Sequence, residues 1–249
     1  CHRLQWYRRG MDALAVHLEH ARLHRRLPWH DPAGQRNRLL SGRRHRGGSA
    51  RHRARAAVAG AVNPTPRLWL VRHGRPLIEP GVCYGRLDVL ADIEHTKFSA
   101  LKLHSTLPAD IQLIHCSPLQ RCQQLAAELL SARPGSAQTD ARLQEMDFGA
   151  WEGQRWDAIA REEIDAWTDN FTACQPGNGE SLQAMLTRVK EALNEARQQG
   201  KDVVWITHAG VIRCVIWLLE HGDRAPQASE WTMAAPGFGE WFSLPLTPP

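Results

Sequence analysis

Two arginines and two histidines follow short apolar runs at widely separated points of the chain. Arg72 and His73 follow the first run, Arg121 comes shortly after the second, and His208 follows the third. A guanidinium can fork onto two oxygens, and an imidazole can hold another. If the fold brings these four side chains together, they form a site for a phosphoryl group.

Each of these apolar runs has the length of a buried strand. The runs span residues 67–71, 111–116 and 203–207. Helical patterns lie between and after them, at roughly residues 94–106, 118–132, 155–168, 181–199 and 210–221. Strands that alternate with helices of this length predict parallel crossover units and a sheet covered on both faces. We therefore expect the α/β class, with a three-layer α/β/α sandwich around a mostly parallel central sheet.

The residues beside the strand ends suit an anion site. Gly74 lets the backbone turn sharply after His73. Ser117 is a predicted N-cap, and Pro118 suits the first turn of the helix that carries Arg121. Ligands of open α/β sheets collect beyond the carboxyl ends of the strands, where the amino ends of the following helices favour anions.

Each of these residues also has a structural interpretation. A histidine beside a glycine is usually a structural or surface group, and a helical arginine is most often solvated. The acidic residues Asp88, Asp92 and Glu94 could hold a metal, but they have no histidine partner and scattered acids usually face solvent. The sequence therefore indicates no metal site and no cofactor.

Four segments resemble, in order along the chain, the motifs of the histidine phosphatase superfamily in its phosphoglycerate-mutase-like branch. They are Arg72-His73-Gly74, the Ser-Pro-Leu-x-Arg segment 117–121, the segment Leu-Gln-Glu-Met-Asp-Phe-Gly-Ala-Trp-Glu-Gly at 143–153, and His208-Ala209-Gly210. The resemblance covers residues 67 to about 245. It implies a phosphoglycerate-mutase-like fold and a histidine phosphatase domain over residues 67–249.

The resemblance also implies a role for each site residue. His73 would attack phosphorus and form a phosphohistidine. Arg72, Arg121 and His208 would bind the phosphoryl oxygens and offset the charge that develops on them. Glu145 would protonate the leaving group and then take a proton from water.

Two other carboxylates lie close to Glu145 in the sequence. Asp147 and Glu152 follow it within the same segment, and a carboxylate in a loop is commonly a surface group. We interpret Glu152, which lies in the Trp-Glu-Gly turn, as structural. The implied reaction needs no metal ion, because cationic side chains take the place that Mg²⁺ has in other phosphoryl-transfer enzymes.

Segments outside the predicted phosphate site bear on the substrate. The Cys-Tyr-Gly-Arg-x-Asp segment at 83–88 and the Asn-Gly-Glu-Ser segment at 178–181 resemble the alpha-ribazole phosphatases. That resemblance implies hydrolysis of alpha-ribazole 5'-phosphate in cobalamin biosynthesis. Tyr84, Trp156 and Trp167 could stack on a benzimidazole, although each is more often a core residue.

Other reactions of a small phosphomonoester remain open as alternatives. A broad-specificity phosphomonoesterase and a phosphoglycerate mutase would use the same motifs. Arg121 and Glu145 lie only 24 positions apart in the sequence, which leaves little room for the insertions typical of mutases. The spacing therefore favours a hydrolase.

The amino-terminal quarter of the chain differs from the rest in charge. Residues 1–66 contain 14 arginines and three acidic residues, whereas residues 67–249 contain 17 basic and 23 acidic residues. Such an arm could bind nucleic acid through phosphate contacts. It lacks a regular apolar pattern, however, so we expect a disordered or non-native extension that ends at Asn-Pro-Thr-Pro, 63–66, and no nucleic-acid partner.

The composition is that of a globular protein. Hydrophobic residues make up 43% of the 249 residues and charged residues 23%. No apolar run approaches the roughly 20 residues that a membrane span requires. The six cysteines show neither a C-x-x-C pattern nor a disulfide framework. We therefore expect a cytoplasmic enzyme in a reducing setting, with no membrane contact.

Overall fold

The three predicted strands form the middle of a five-stranded sheet in the computed structural model, which describes residues 65–246. In chain order the strands are β1 (Arg67–Arg72), β2 (Leu113–Cys116), β3 (Ala137–Thr139), β4 (Val203–Thr207) and β5 (Trp241–Pro245). Their order across the sheet is β3-β2-β4-β1-β5, and β5 alone runs antiparallel to its neighbour. The carboxyl ends of β1, β2 and β4 therefore lie side by side.

Five α-helices accompany the strands. They are α1 (Ile93–Thr106), α2 (Gln120–Ser131), α3 (Arg161–Asp169), α4 (Leu182–Gln198) and α5 (Ala209–His221). Single turns of 3-10 helix occur at Ala141–Leu143, Gly149–Trp151, Trp156–Ala158, Pro176–Asn178 and Ala228–Glu230. Helix α1 packs against α2, and α4 packs against α5.

The sheet has an apolar core on each face. Along β4, Val203 and Trp205 belong to the core that includes α4 and α5, whereas Val204 and Ile206 belong to the core that includes α1 and α2. This alternation follows from the two-residue period of a strand. A sheet buried on both faces confirms the predicted α/β/α sandwich.

A cluster of aromatic rings extends the core on the side of α4 and α5. Its members are Phe148, Trp151, Trp156, Trp167 and Phe171, with ring centroids 5.4 to 6.5 Å apart. Trp156 and Trp167 are 6% and 5% exposed. Both therefore serve as core residues, and neither presents a face for a ligand to stack on.

The structure corrects the predicted helix over residues 155–168. One turn of 3-10 helix and two extended residues precede the true helix α3. Within the segment, buried Trp156 and Ile159 are three residues apart, and so are Ile164 and Trp167. Ile159 and Ile164, however, are five residues apart, which breaks the helical period of 3.6 residues. The second pair therefore lies on a new helix.

Residues 1–64 and 247–249 lie outside the described residues, and with them nearly all of the predicted extension over residues 1–66. Within residues 65–246, no helix combines the length and the apolar character needed to span a membrane. All five cysteines of this range are free thiols.

Candidate active site

The end of β1 places His73 at the carboxyl edge of the sheet. Its backbone N–H donates to the carbonyl of Thr207, 2.9 Å away on β4. Nδ1 of the ring lies 2.7 Å from the carbonyl oxygen of Gly74, which can only accept, so Nδ1 carries the proton. In the neutral ring this leaves the lone pair on Nε2. A side chain at Gly74 would overlap the hydroxyl of Thr96, which explains the glycine.

His208, at the end of β4, lies beside His73. The two ring centroids are 5.0 Å apart, and His208 is fully buried. Nε2 of His208 is 2.9 Å from Oγ of Ser117, which also accepts a bond from the backbone N–H of Leu119. The Ser117 hydroxyl can donate to Nε2, and with that bond the proton of the neutral His208 ring would lie on Nδ1. That Nδ1 is buried without a hydrogen-bond partner in the part of the chain that the structure describes.

Ser117 is a site residue, and its prediction as a helix cap was wrong. The N-cap of α2 is Leu119, whose side chain makes no capping bond. The Ser117 hydroxyl contacts His208 instead, because the helix begins only at Gln120, three residues after Ser117. Cys122 in the first turn also approaches Nε2 of His208, at 3.4 Å. Burial raises the pKa of the Cys122 thiol to about 12, so it stays protonated and is a poor nucleophile.

The two predicted arginines lie at the same edge of the sheet. Nη1 of Arg72 donates to the carbonyl of Pro236, 3.0 Å away, and its guanidinium carbon lies 4.0 Å from the ring centroid of Phe238. Arg121 is fully buried, and its two terminal nitrogens donate to the carbonyl oxygens of Leu87 and Gly85 at 2.9 and 2.6 Å. Arg121 therefore also anchors the segment that the sequence connects with substrate choice.

The electrostatics keep both histidines neutral. Burial and the positive charges of Arg121 and Arg72 lower the pKa of His73 well below its ordinary value of 6.5. The pKa of His208 is lowered well below 6.5 by burial and by Arg121, with a further contribution from His73. Near neutral pH both imidazoles are therefore uncharged, and the positive charge of the pocket comes from the arginines.

Glu145 reaches this site from a loop. Its Oε2 accepts a hydrogen bond of 3.0 Å from the backbone N–H of Gly210, two residues after His208, and its Oε1 accepts one from the N–H of Met146 at 3.0 Å. Burial lowers the pKa of Arg72 on balance, and Glu145, when ionised, acts in the opposite direction and raises it. The structure thus brings all five predicted residues together.

The neighbouring carboxylates have other partners. Glu152 accepts hydrogen bonds from three backbone N–H groups, those of Arg86, Leu87 and Phe148, so it holds two loops together. Asp147 accepts from the N–H of Gly149 at 2.8 Å. Neither carboxylate contacts the histidines through any of these bonds.

The three acids of the rejected metal site also have separate partners. Asp88 binds the backbone N–H of Gln120, Asp92 caps α1, and Glu94 pairs with Lys97. Across residues 65–246, no group of three histidine, cysteine or acidic side chains is arranged to hold a metal ion.

Sequence reasoning missed Phe238. Its ring centroid lies 5.5 Å from that of His73, and Arg72 stacks on it. The next residue, Gly239, donates its N–H to the carbonyls of Arg72 and His73 at 3.1 and 2.9 Å. A single phenylalanine in an irregular loop carries no sequence signal, and only the pairing of β5 with β1 brings this loop to the site.

Comparisons with known proteins agree with this geometry. A model of the histidine phosphatase superfamily (branch 1) matches residues 68–234. The adenosylcobalamin/alpha-ribazole phosphatase of Escherichia coli (strain K12) is 30% identical over 157 residues, 60% of this chain and 77% of that protein. Phosphoserine phosphatase 1 of Hydrogenobacter thermophilus is 27% identical over 155 residues, 60% of this chain and 74% of that protein.

A solved structure gives the same result for the fold. The match to the alpha-ribazole phosphatase from Shigella flexneri covers 71% of this chain and 89% of that chain, with 29% identity and a TM-score of 0.61. The family model spans both ends of the site, from the strand that carries Arg72 to the helix that follows His208. The chain therefore belongs to the histidine phosphatase superfamily and is a phosphatase.

Proposed function

We propose that this phosphatase hydrolyses alpha-ribazole 5'-phosphate to alpha-ribazole and phosphate, through a phosphohistidine on His73 and without a metal ion. The observation that carries the reaction is the arrangement of His73 and His208. Both rings are buried and neutral, they lie 5.0 Å apart, and two arginines adjoin them. Such a pocket suits a dianionic phosphoryl group and a nitrogen nucleophile.

In the first step Nε2 of His73 attacks phosphorus opposite the leaving oxygen. The new P–N bond forms as the bond from phosphorus to the alcohol oxygen breaks, and the protonated carboxyl of Glu145 gives its proton to that oxygen. Arg72 and Arg121 offset the charge on the remaining phosphoryl oxygens. Nδ1 of His208, which lacks a partner among residues 65–246, supplies a further donor.

In the second step water replaces the alcohol. The Glu145 carboxylate takes a proton from the water as its oxygen attacks phosphorus, the P–N bond breaks, and the electron pair returns to Nε2 of His73. Phosphate then leaves. Glu145 is again protonated, so the site is ready for the next substrate and no proton is lost.

The choice of alpha-ribazole 5'-phosphate draws on two kinds of support. Relatives named as alpha-ribazole phosphatases match both in sequence and in structure. In addition, two aromatic side chains lie beside the arginines, with Tyr84 5.5 Å from Arg121 and Phe238 4.0 Å from Arg72, ring centroid to guanidinium carbon. An apolar benzimidazole suits such surroundings better than a small charged amino acid does.

A panel of substrates tests this choice. We expect purified full-length protein, in the presence of a chelator, to release phosphate from alpha-ribazole 5'-phosphate with a higher kcat/KM than from phosphoserine, 3-phosphoglycerate or an aryl phosphate. Similar values across the panel would indicate a broad-specificity phosphomonoesterase, and a preference for phosphoserine would indicate the activity of the second relative. Either result would overturn the substrate and leave the reaction class in place.

Trapping the intermediate tests the nucleophile. We expect acid-labile phosphate on wild-type protein quenched during turnover and none on His73→Ala. The matched control is His104→Ala, which removes an exposed histidine from the last turn of α1. Labelling that persists in His73→Ala would mean that another residue is the nucleophile.

A further inference from the structure

Arg188, on α4, uses every hydrogen of its guanidinium. Nε and Nη2 donate to the two carboxylate oxygens of Glu180, each at 2.7 Å. Nη1 donates to the carbonyl oxygens of Arg142 and Gln144 at 2.7 and 2.8 Å, and Nη2 donates to that of Glu145 at 3.3 Å. All five N–H groups therefore have an acceptor. The carbonyls of Gln144 and Glu145 lie in the loop that carries Glu145, and that of Arg142 lies in the 3-10 turn just before it.

The loop around Glu145 has no hydrogen-bonding pattern of a helix or strand to hold it. Residues 144–147 belong to no helix or strand. The carboxylate of Glu145 is held at its tip by the N–H of Gly210, and Arg188 fixes the main chain from which that side chain extends. Hydrogen bonds from a charged donor are stronger than those between neutral groups, so the loop loses a large part of its restraint when Arg188 is removed.

Glu180 connects the same arginine to the segment at 83–88. Its Oε2 lies 3.4 Å from Nη2 of Arg86, and its backbone N–H donates to the carbonyl of Asp147 at 2.8 Å. Arg188 and Glu180 are 14% and 11% exposed at their side chains. A paired, nearly buried and fully hydrogen-bonded guanidinium is rigid, which suits a group that must hold another residue in place.

We propose that Arg188, fixed by Glu180, is a positioning residue that sets the carboxyl group of Glu145 for proton transfer to the leaving oxygen. This inference rests on the proposed function, since it takes Glu145 as the acid. Arg188 itself touches neither the substrate nor the reacting atoms. Its loss acts through Glu145, so it weakens the acid without removing the nucleophile or the phosphate-binding arginines.

Substrates with different leaving groups distinguish a positioning role of Arg188 from a general loss of structure. An alkyl phosphate needs the acid, because an alkoxide is a poor leaving group, whereas a nitrophenyl phosphate leaves without one. We expect Arg188→Met to lower kcat/KM for the alkyl phosphate by about 10²-fold, the lower end of what a general acid contributes. For nitrophenyl phosphate we expect a change of less than about threefold. Arg188→Lys keeps the charge with fewer donors, and we expect an intermediate loss.

Two comparisons complete the design. Arg197→Met is the matched control, because it removes a half-buried arginine from the same helix, bonded there to Asn194. We expect it to leave both rates unchanged. The double variant Arg188→Met with Glu145→Gln should be no slower on the alkyl phosphate than Glu145→Gln alone, because a residue that acts through Glu145 adds nothing once that acid is gone.

The positioning role of Arg188 predicts unequal losses on the two substrates. Equal losses on both substrates, or additive losses in the double variant, would refute the positioning role. If Arg188→Met does not fold by circular dichroism, Glu180→Gln and Arg188→Lys carry the same comparison, and an equal effect on both substrates in those variants overturns the inference. Failure of the proposed function is recognised separately, because then Glu145→Gln itself would show no dependence on the leaving group.

Discussion

The contact between Gly210 and Glu145 allows a sharp test with a single methyl group. Gly210 is the second residue of α5 and has ordinary helical backbone angles. An added Cβ would overlap Oε1 of Glu145, lie 3.0 Å from Cδ of the same side chain and lie 3.1 Å from Cε of Met185. In Gly210→Ala the carboxylate must therefore move, because it is the atom group directly in the way.

The substitution Gly210→Ala has two opposing effects on the free energy of unfolding. Alanine in place of glycine within a helix stabilises it by about 0.8 to 1 kcal/mol. Against this, the displaced carboxylate loses its bond from the Gly210 N–H, and hydrogen bonds to charged groups contribute roughly 1.5 to 3 kcal/mol. We expect a net destabilisation of about 1 kcal/mol, which is small beside the stability of a folded domain.

Activity should respond much more strongly than stability. A carboxyl group moved by about the radius of a methyl group cannot protonate the leaving oxygen efficiently, and general acids contribute about 10² to 10⁴-fold. We expect Gly210→Ala to lower kcat/KM for an alkyl phosphate by about 10²-fold, with little change for nitrophenyl phosphate. Acid-labile phosphohistidine should still form from nitrophenyl phosphate.

The clash itself can be tested in a second background. In Glu145→Ala the obstructing carboxylate is gone, and the new methyl group meets only the flexible end of Met185. Gly210→Ala should therefore raise the melting temperature there through its helix propensity. Unchanged activity of Gly210→Ala on the alkyl phosphate would refute our placement of Glu145 as the acid. A stabilising effect of equal size in both backgrounds would show that the methyl group meets no carboxylate.

Three other predictions concern the nucleophile, the aromatic core and the amino-terminal segment. Because the pKa values of His73 and His208 lie well below 6.5, both rings stay neutral as the pH falls through 6.5. After correction for ionisation of the substrate phosphate (pKa about 6), kcat/KM should therefore decline only at lower pH. A decline in kcat/KM centred at pH 6.5 or above would contradict this. Trp151→Phe should cost more stability in urea unfolding than Trp167→Phe, since the indole N–H of Trp151 donates to the Glu163 carboxylate at 2.6 Å, while that of Trp167 is buried without a partner among the described residues. The reverse order would be evidence against the hydrogen bond between Trp151 and Glu163. Removal of residues 1–64 should leave kcat/KM unchanged, because every proposed site residue lies beyond them, and a large loss would place a functional group in that segment.

The sequence predicted which side chains would come together because most of them follow strands with strong apolar signals. Leu68, Leu70 and the wholly buried β4 (Val203–Thr207) dictate two central strands, and parallel strands bring their carboxyl ends together. The edge strands were missed for the opposite reason. Strand β3 (Ala137–Thr139) has three residues and little burial, and β5 (Trp241–Pro245) is only partly buried, so neither shows a clear period.

Contacts made by the backbone are the part of the site that side-chain patterns do not predict. Arg188 binds three carbonyl oxygens, and a carbonyl is present at every position whatever the residue type. The same holds for Arg121, which a motif assigns to phosphate but whose terminal nitrogens also bind the carbonyls of Gly85 and Leu87. Such contacts depend on where loops cross, which only the folded chain determines.

The two arginines connect substrate binding to the state of the nucleophile. In the free enzyme, burial together with the positive charges of Arg121 and Arg72 lowers the pKa of His73, so the ring is uncharged and its Nε2 lone pair is available. A phosphoryl dianion at the same place would bring charge of opposite sign, which would offset the charge of the arginines. In the proposed mechanism, one pair of guanidiniums therefore attracts the substrate and also helps to keep the attacking imidazole neutral. Replacing either arginine by an uncharged residue should weaken both effects together, because both arise from the same positive charge.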